Sequence, residues 1–221
     1  YAWWGTSFYY APEGDYLAFA SPDQVGLIEA ENKQKRTLLD LVPYNTRGDW
    51  AWMPGVAISP DGDVVYTVNH DADPEAGAAE ESPHFDLVAV PLSSGVIIPL
   101  QEDVGMFAYP LVGPQYKKAS GEFAFQLAFL QAAIPEQSAS SSYRVTLMDR
   151  DGSNRRQIFP PSDQQGLEPR RGWGAWSPEQ NPETGSYSLA VLYENNIWIL
   201  DTVSGQARQV TGDGRVQRLD W

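Results

Sequence analysis

A short proline turn recurs along this sequence, and behind each occurrence comes the same succession of apolar runs. Tyr10-Ala-Pro-Glu-Gly14, Ile58-Ser-Pro-Asp-Gly62, the weaker Val112-Gly-Pro114 and Trp176-Ser-Pro178 are the occurrences, and Trp221 stands where a fifth would begin. Taken between equivalent positions, the spacings are about 48, 54, 64 and 45 residues. A period of this length marks a stack of small units, because one such unit cannot bury its apolar faces alone.

Three runs follow each turn. The last unit shows them most plainly, with Tyr187-Ser-Leu-Ala-Val-Leu-Tyr193, then Asn196-Ile-Trp-Ile-Leu-Asp201, then Ala207-Arg-Gln-Val-Thr211. All are short, rich in β-branched, aromatic and leucine residues, and bounded by Gly, Asn, Asp and Ser, which is strand chemistry set between turn chemistry. With a strand preceding each proline turn, every unit has strands a to d. The expected b strands are 16–20, 64–68, 122–127 and 187–193; the c strands are 25–29, 85–90, 143–148 and 196–200; the d strands are 37–41, 96–100, 156–159 and 207–211. Strands c and d are joined by tight turns, among them Ser204-Gly205, where a residue at positive φ is needed and glycine accepts it at little cost.

The fold class expected is therefore all-β, a β-propeller of four-stranded antiparallel blades. One domain is expected over 1–221, with blades at 1–41, 55–100, 106–159 and 173–211 and the first strand of a further blade at 215–221.

Asp149-Arg-Asp-Gly-Ser-Asn-Arg-Arg-Gln-Ile158, Ser59-Pro-Asp-Gly62 and the unit from Trp176-Ser-Pro178 to Asp201 resemble the repeats of TolB-type β-propellers. The resemblance covers nearly the whole chain and speaks to architecture more than to activity. It implies a propeller of six or more blades, of which four blades and one extra strand would be a fragment; a compact four-bladed ring with a spare strand is the alternative. It also implies an extracytoplasmic setting, periplasmic or at the cell surface. Similar repeats occur in binding and scaffold proteins, in an oligogalacturonate lyase and in the propellers of prolyl oligopeptidase-like enzymes.

Charge and composition remove several function classes. The net charge is −14, from 29 acidic and 15 basic residues, whereas nucleic-acid and anionic-membrane surfaces need a local excess of Lys and Arg. The basic clusters are short, at Lys33-Gln-Lys-Arg36, Lys117-Lys118, Arg155-Arg156 and Arg170-Arg171, and read as solvated turns. There is no cysteine, which excludes disulfide scaffolds, thiolate zinc sites and thiol catalysis. No run of about 18 to 20 apolar residues is present for direct membrane insertion of this segment.

In an antiparallel meander the a–b and c–d turns leave one edge of the sheet, and the b–c loops and d–a crossovers leave the other. The c–d turns are all short. The long insertions are the b–c loops 69–84 and 131–142 and the crossovers 42–54 and 160–172, so the second edge is the expected functional face. Its candidate residues are Arg47, Asp49, Trp50 and Trp52 on one crossover, Arg170, Arg171 and Trp173 on another, and His70, Asp71, Asp73 and His84 in the loop 69–84.

Imidazole and carboxylate together can ligate a divalent metal or move a proton. The spacing in 69–84 matches no metal motif, and a solvated acidic loop is the simpler reading. Trp beside Arg suits protein and glycan contact surfaces, although tryptophans also pack between blades; that core reading is favoured for Trp173 and Trp176, stands level with the contact reading for Trp50 and Trp52, and is adopted for Trp198 and Phe125. The sequence holds no G-x-S-x-G elbow, P-loop, dinucleotide glycine motif or H-E-x-x-H. No cofactor or catalytic residue is assigned. The expectation is a non-enzymatic propeller holding a protein segment or extended ligand on the loop face or in the central channel, with a lyase, hydrolase or peptidase propeller as the alternative.

Overall fold

The computed structural model describes residues 5–73, 75, 77–118, 120–182 and 185–221, and the chain divides into two compact units, Tyr1–Pro110 with Ile134–Ser141 and Leu111–Ala133 with Ser142–Trp221. The first unit holds two four-stranded antiparallel sheets. One runs β1 (Ser7–Tyr10), β2 (Tyr16–Ser21), β3 (Gln24–Glu29), β4 (Lys35–Asp40), and the next β5 (Val56–Ile58), β6 (Val64–His70), β7 (Phe85–Pro91), β8 (Ile98–Gln101), each in chain order.

The second unit repeats the plan with β9 (Leu111–Val112), β12 (Gln126–Ala132), β13 (Tyr143–Asp149) and β14 (Arg156–Phe159), then β15 (Gly174–Trp176), β16 (Ser188–Tyr193), β17 (Asn196–Asp201) and β18 (Ala207–Gln209). A two-stranded ribbon, β10 (Tyr116–Lys117) with β11 (Phe123–Ala124), is inserted between β9 and β12. These meanders are the blades of a β-propeller. Among the described residues helix is confined to two 3-10 turns, Ala79–Glu81 and Pro135–Gln137, and no helix there is long and apolar enough to cross a membrane.

The recurring proline motif is the a–b turn itself. In the second blade Gly62 takes φ +77° and donates its N–H to the Ser59 carbonyl at 2.9 Å, while the Ser59 hydroxyl accepts from Asp63 N at 3.1 Å and Val64 N at 3.0 Å and donates to Asp61. One serine thus satisfies the turn's amides, and Asp61 is a turn residue. Ala11 and Gly14 form the same 2.9 Å bond in the first blade. The third blade has Gly113 in the serine's place, since a Cβ there would lie 3.1 Å from the Gln126 carbonyl oxygen and from the Trp176 ring.

The c–d turns also repeat. Lys33, Gly95, Gly152 and Gly205 each adopt positive φ and donate an amide to the last residue of strand c, at 2.8–3.0 Å. In the fourth blade the strand-c residue is Asp201, whose carboxylate accepts from Ser186 Oγ at 2.6 Å, Ser204 N at 2.6 Å, Ser204 Oγ at 2.8 Å and Val203 N at 3.1 Å. Burial pushes its pKa up, but these donors outweigh burial and bring it down to about 2. A depressed carboxyl contributes stability that is complete above the ordinary Asp range and is lost as pH falls through the folded value. Asp201→Ala is expected to cost about 1–2 kcal/mol at neutral pH, and to leave the variant less sensitive than the parent to acid between pH 4 and 2 in a chemical-denaturation series.

Two sequence expectations shift. Strand b of the third blade, expected at 122–127, is displaced to Gln126–Ala132, where Leu127 pairs with both Val112 and Met148. The earlier Phe123-Ala124 pair belongs to the inserted ribbon, which has the same apolar composition and so the same signature. Residues 215–221, expected as the opening strand of another blade, form no strand; Val216 N bonds the Asn195 carbonyl at 2.9 Å.

Candidate site on the crossovers of the first unit

Trp50 and Trp52 are two residues apart, a spacing that would put both rings on one side of a regular strand, but the segment 51–55 is irregular and the two indoles part. Trp52 goes inward, is 1% exposed, and donates its indole N–H to the Met106 carbonyl at 2.7 Å. Trp50 goes outward and is 44% exposed. It is held at the tip of the crossover by Thr46 Oγ1, which donates to the Trp50 carbonyl at 2.5 Å, and by Arg47, whose φ of +53° turns the chain.

His70 ends β6 and lies under the loops, 1% exposed, stacked on Phe85 at 4.7 Å with Trp52 and Tyr44 edge-on at 5.9 and 5.5 Å. Its Nδ1 is 2.6 Å from the Val42 carbonyl oxygen and its Nε2 2.9 Å from that of Ser82. Both partners only accept, so the ring joins the crossover to the b–c loop through its N–H groups; a neutral imidazole has one and the imidazolium two. Further ties follow the same course. Asn45 N donates to the Glu80 carbonyl at 2.7 Å, and Arg47 pairs with Glu81 at 3.1 Å.

A third segment joins them. After β8 the crossover 102–110 crosses back, with Val104 N bonded to the Phe85 carbonyl and Asp103 N to Asp86 Oδ1, both at 2.8 Å. His84 Nδ1 is 2.8 Å from Asp103 Oδ1, and its Nε2 is 3.7 Å from Asp73 Oδ2. Asp103 and Tyr109 both have positive φ, +53° and +41°. Tyr109 packs on the backbone just before β5, where a Cβ on Gly55 would come within 2.8 Å of the Tyr109 Cα. Phe107 stands 6.2 Å from Trp50 and 5.9 Å from Tyr109.

Crossover 42–54, loop 71–84 and crossover 102–110 therefore form one cross-linked surface. Its segments carry a row of three partly exposed rings, Trp50, Phe107 and Tyr109, and also hold Asp49, Asp71, Asp73, Glu80, Glu102 and Asp103. The electrostatics follow. The hydrogen bond from Asp103 is the largest influence on His84 and raises its pKa; partial burial opposes this, and the charges of Asp103, Asp73 and Asp86 add to it. Asp86 is raised too, first by burial, with further lift from Asp71, Asp103 and Glu102 against its bond from Asp103 N.

A histidine raised in the folded state contributes stability that is complete below the ordinary histidine range and lost as pH rises through the folded value. Asp103→Asn should therefore move the His84 midpoint down in a proton NMR titration. An unchanged midpoint would mean that the pair does not form in solution.

Two candidates for the exposed face are corrected. Trp52 and His70 are buried, because each has a large ring enclosed by packing, and Trp173, also named as a face candidate but with core packing as the favoured reading, is 0% exposed. The convergence of His70 and His84 with Asp71 and Asp73 on a metal is likewise not formed. Both His70 nitrogens are turned to carbonyls, Asp71 accepts from Asn69, and no group of three potential metal ligands occurs among the described residues. Arg47, Asp49, Trp50, Asp71, Asp73 and His84 come together on the first unit. Arg170 and Arg171 belong to the second, Arg170 lying 3.9 Å from Glu168.

In the core assignments, Phe125 is 2% exposed, whereas Trp198 and Trp176 are partly exposed; Trp198 packs on Phe159 at 5.4 Å, and Trp176 bonds the Leu111 carbonyl at 3.3 Å. Phe107 and Tyr109 were missed by sequence reasoning. Their signal is the run Met106-Phe-Ala-Tyr109, where buried Met106 and Ala108 alternate with more exposed rings.

No protein-family model and no curated protein matches the chain. Among solved structures it is similar to an oligogalacturonate lyase from Vibrio parahaemolyticus (TM-score 0.48, 10% identity, covering 92% of this chain and 52% of that one). It is also similar to a prolyl endopeptidase (0.49, 12%, 95% and 30%) and to a putative TolB from Agrobacterium tumefaciens (0.34, 14%, 93% and 80%). The chain spans about half the length of the lyase structures it matches. The assignment of blades rests on the four meander sheets themselves.

Proposed function

We propose that this chain is a binding β-propeller module that holds a protein segment or other extended ligand on the crossover face of its first unit. The observation behind this reading is the row Trp50–Phe107–Tyr109, which leaves aromatic surface exposed on a backbone fixed at many points. Aromatic rings presented on a rigid platform are the usual anchors of recognition surfaces. The repeats' resemblance to TolB-type propellers supports an extracytoplasmic setting, and the charge of −14 supports a partner other than nucleic acid.

Arrays of random peptides and of oligosaccharides, probed with the chain and with Trp50→Ala, test the reading. It predicts hits on one array that Trp50→Ala weakens at least tenfold while the denaturation midpoint stays unchanged. Hits indifferent to Trp50, or none on either array, would overturn it.

A second reading, a lyase or hydrolase propeller, draws on the His84–Asp103 pair, since a histidine oriented by a carboxylate can move a proton. That reading requires His84→Ala to abolish turnover of an oligosaccharide retained on the array.

A further inference from the structure

The site's charge is as specific as its rings. The three joined segments 42–54, 71–84 and 102–110 carry eight carboxylates against a single arginine and His84, and that arginine, Arg47, is already paired with Glu81. Asp49 adjoins Trp50 in sequence, and Asp103 is fixed by its amide bond to Asp86, with a side chain 47% exposed. The segments that carry the rings thus also carry a large excess of carboxylates, and ring faces attract cations by their quadrupole.

We propose, on the footing of the binding reading above, that the ligand is an extended polypeptide segment bearing Lys or Arg side chains, which lie over the faces of Trp50 and Phe107 and end on Asp49 and Asp103. An anionic chain would meet like charge along the whole platform. A neutral saccharide would use the rings and draw nothing from the excess of carboxylates. Burial is the main cause of the raised Asp86, and the charges of Asp71, Asp103 and Glu102 add to it; a cation on the platform would ease that added repulsion.

The test is a selection from a displayed library of random twelve-residue peptides on the whole chain, followed by affinity measurement of the enriched peptides at low and high salt. The expected outcome is enrichment in Lys and Arg. Trp50→Ala and Asp103→Asn should each weaken the selected peptides about tenfold, Asp103→Asn should also flatten the salt dependence, and Asp213→Asn, in the second unit, should leave affinity unchanged.

Neutral or acidic peptides that depend on Trp50 would overturn the cationic assignment and leave the binding face standing. Basic peptides that bind Trp50→Ala and Asp103→Asn as well as the parent would also overturn it, as attraction to overall charge alone. An absence of any enriched peptide, with oligosaccharides held through Trp50, would replace the polypeptide by a glycan.

Discussion

Trp52→Ala should destabilise the chain by about 3–5 kcal/mol, the range seen when a buried large aromatic is cut to alanine. The indole is enclosed, lies 5.0 Å from Phe85 and 5.9 Å from His70, and donates to Met106 O. Its removal opens a cavity and leaves a buried carbonyl unbonded. Denaturant titration should show the midpoint falling sharply, and hydrogen exchange should quicken first across 102–110, the segment the indole ties down. A loss below about 1 kcal/mol would mean that the crossover is held by other contacts.

His70→Phe should cost about 2–4 kcal/mol although it keeps a ring of similar size. The stack on Phe85 survives, but Val42 O and Ser82 O lose their donor, and a buried acceptor left without one costs about 1–3 kcal/mol. Because Trp52 and His70 touch, the double variant should fall short of the sum of the two. Exchange rates in 42–46 and 80–84 should rise together in the His70 variant and separate from those of β2 and β3, which are remote from the lost bonds.

The sheets were legible in the sequence because each strand carries its own evidence. Strand β17, Asn-Ile-Trp-Ile-Leu-Asp, is bounded by turn residues at both ends, and its partner β16 is equally marked. The third blade was harder, because Phe123-Ala124 and Leu127-Ala128 are alike in composition and only pairing tells ribbon from ladder. The site was half legible. Loop lengths singled out the edge of the sheet that carries these segments, but the spacing of Trp50 and Trp52 would put both indoles on one side of a regular strand and so did not announce that one is buried and one exposed.

His70 misled because its chemistry suggested a ligand while its neighbours in space, Phe85, Trp52 and Tyr44, are scattered over forty residues of sequence. Nothing local announces that enclosure. The partnership of His84 with Asp103 was hidden for the same reason, since nineteen residues and two strands separate them.

The bonds that stitch the crossovers to the loop bear on speed as well as shape. A platform already immobilised before its partner arrives has little freedom left to surrender, so association should follow diffusion and long-range attraction in a single phase, with no slow rearrangement after contact. Cutting one stitch, as in His70→Phe, should then lower affinity without touching any atom of the partner.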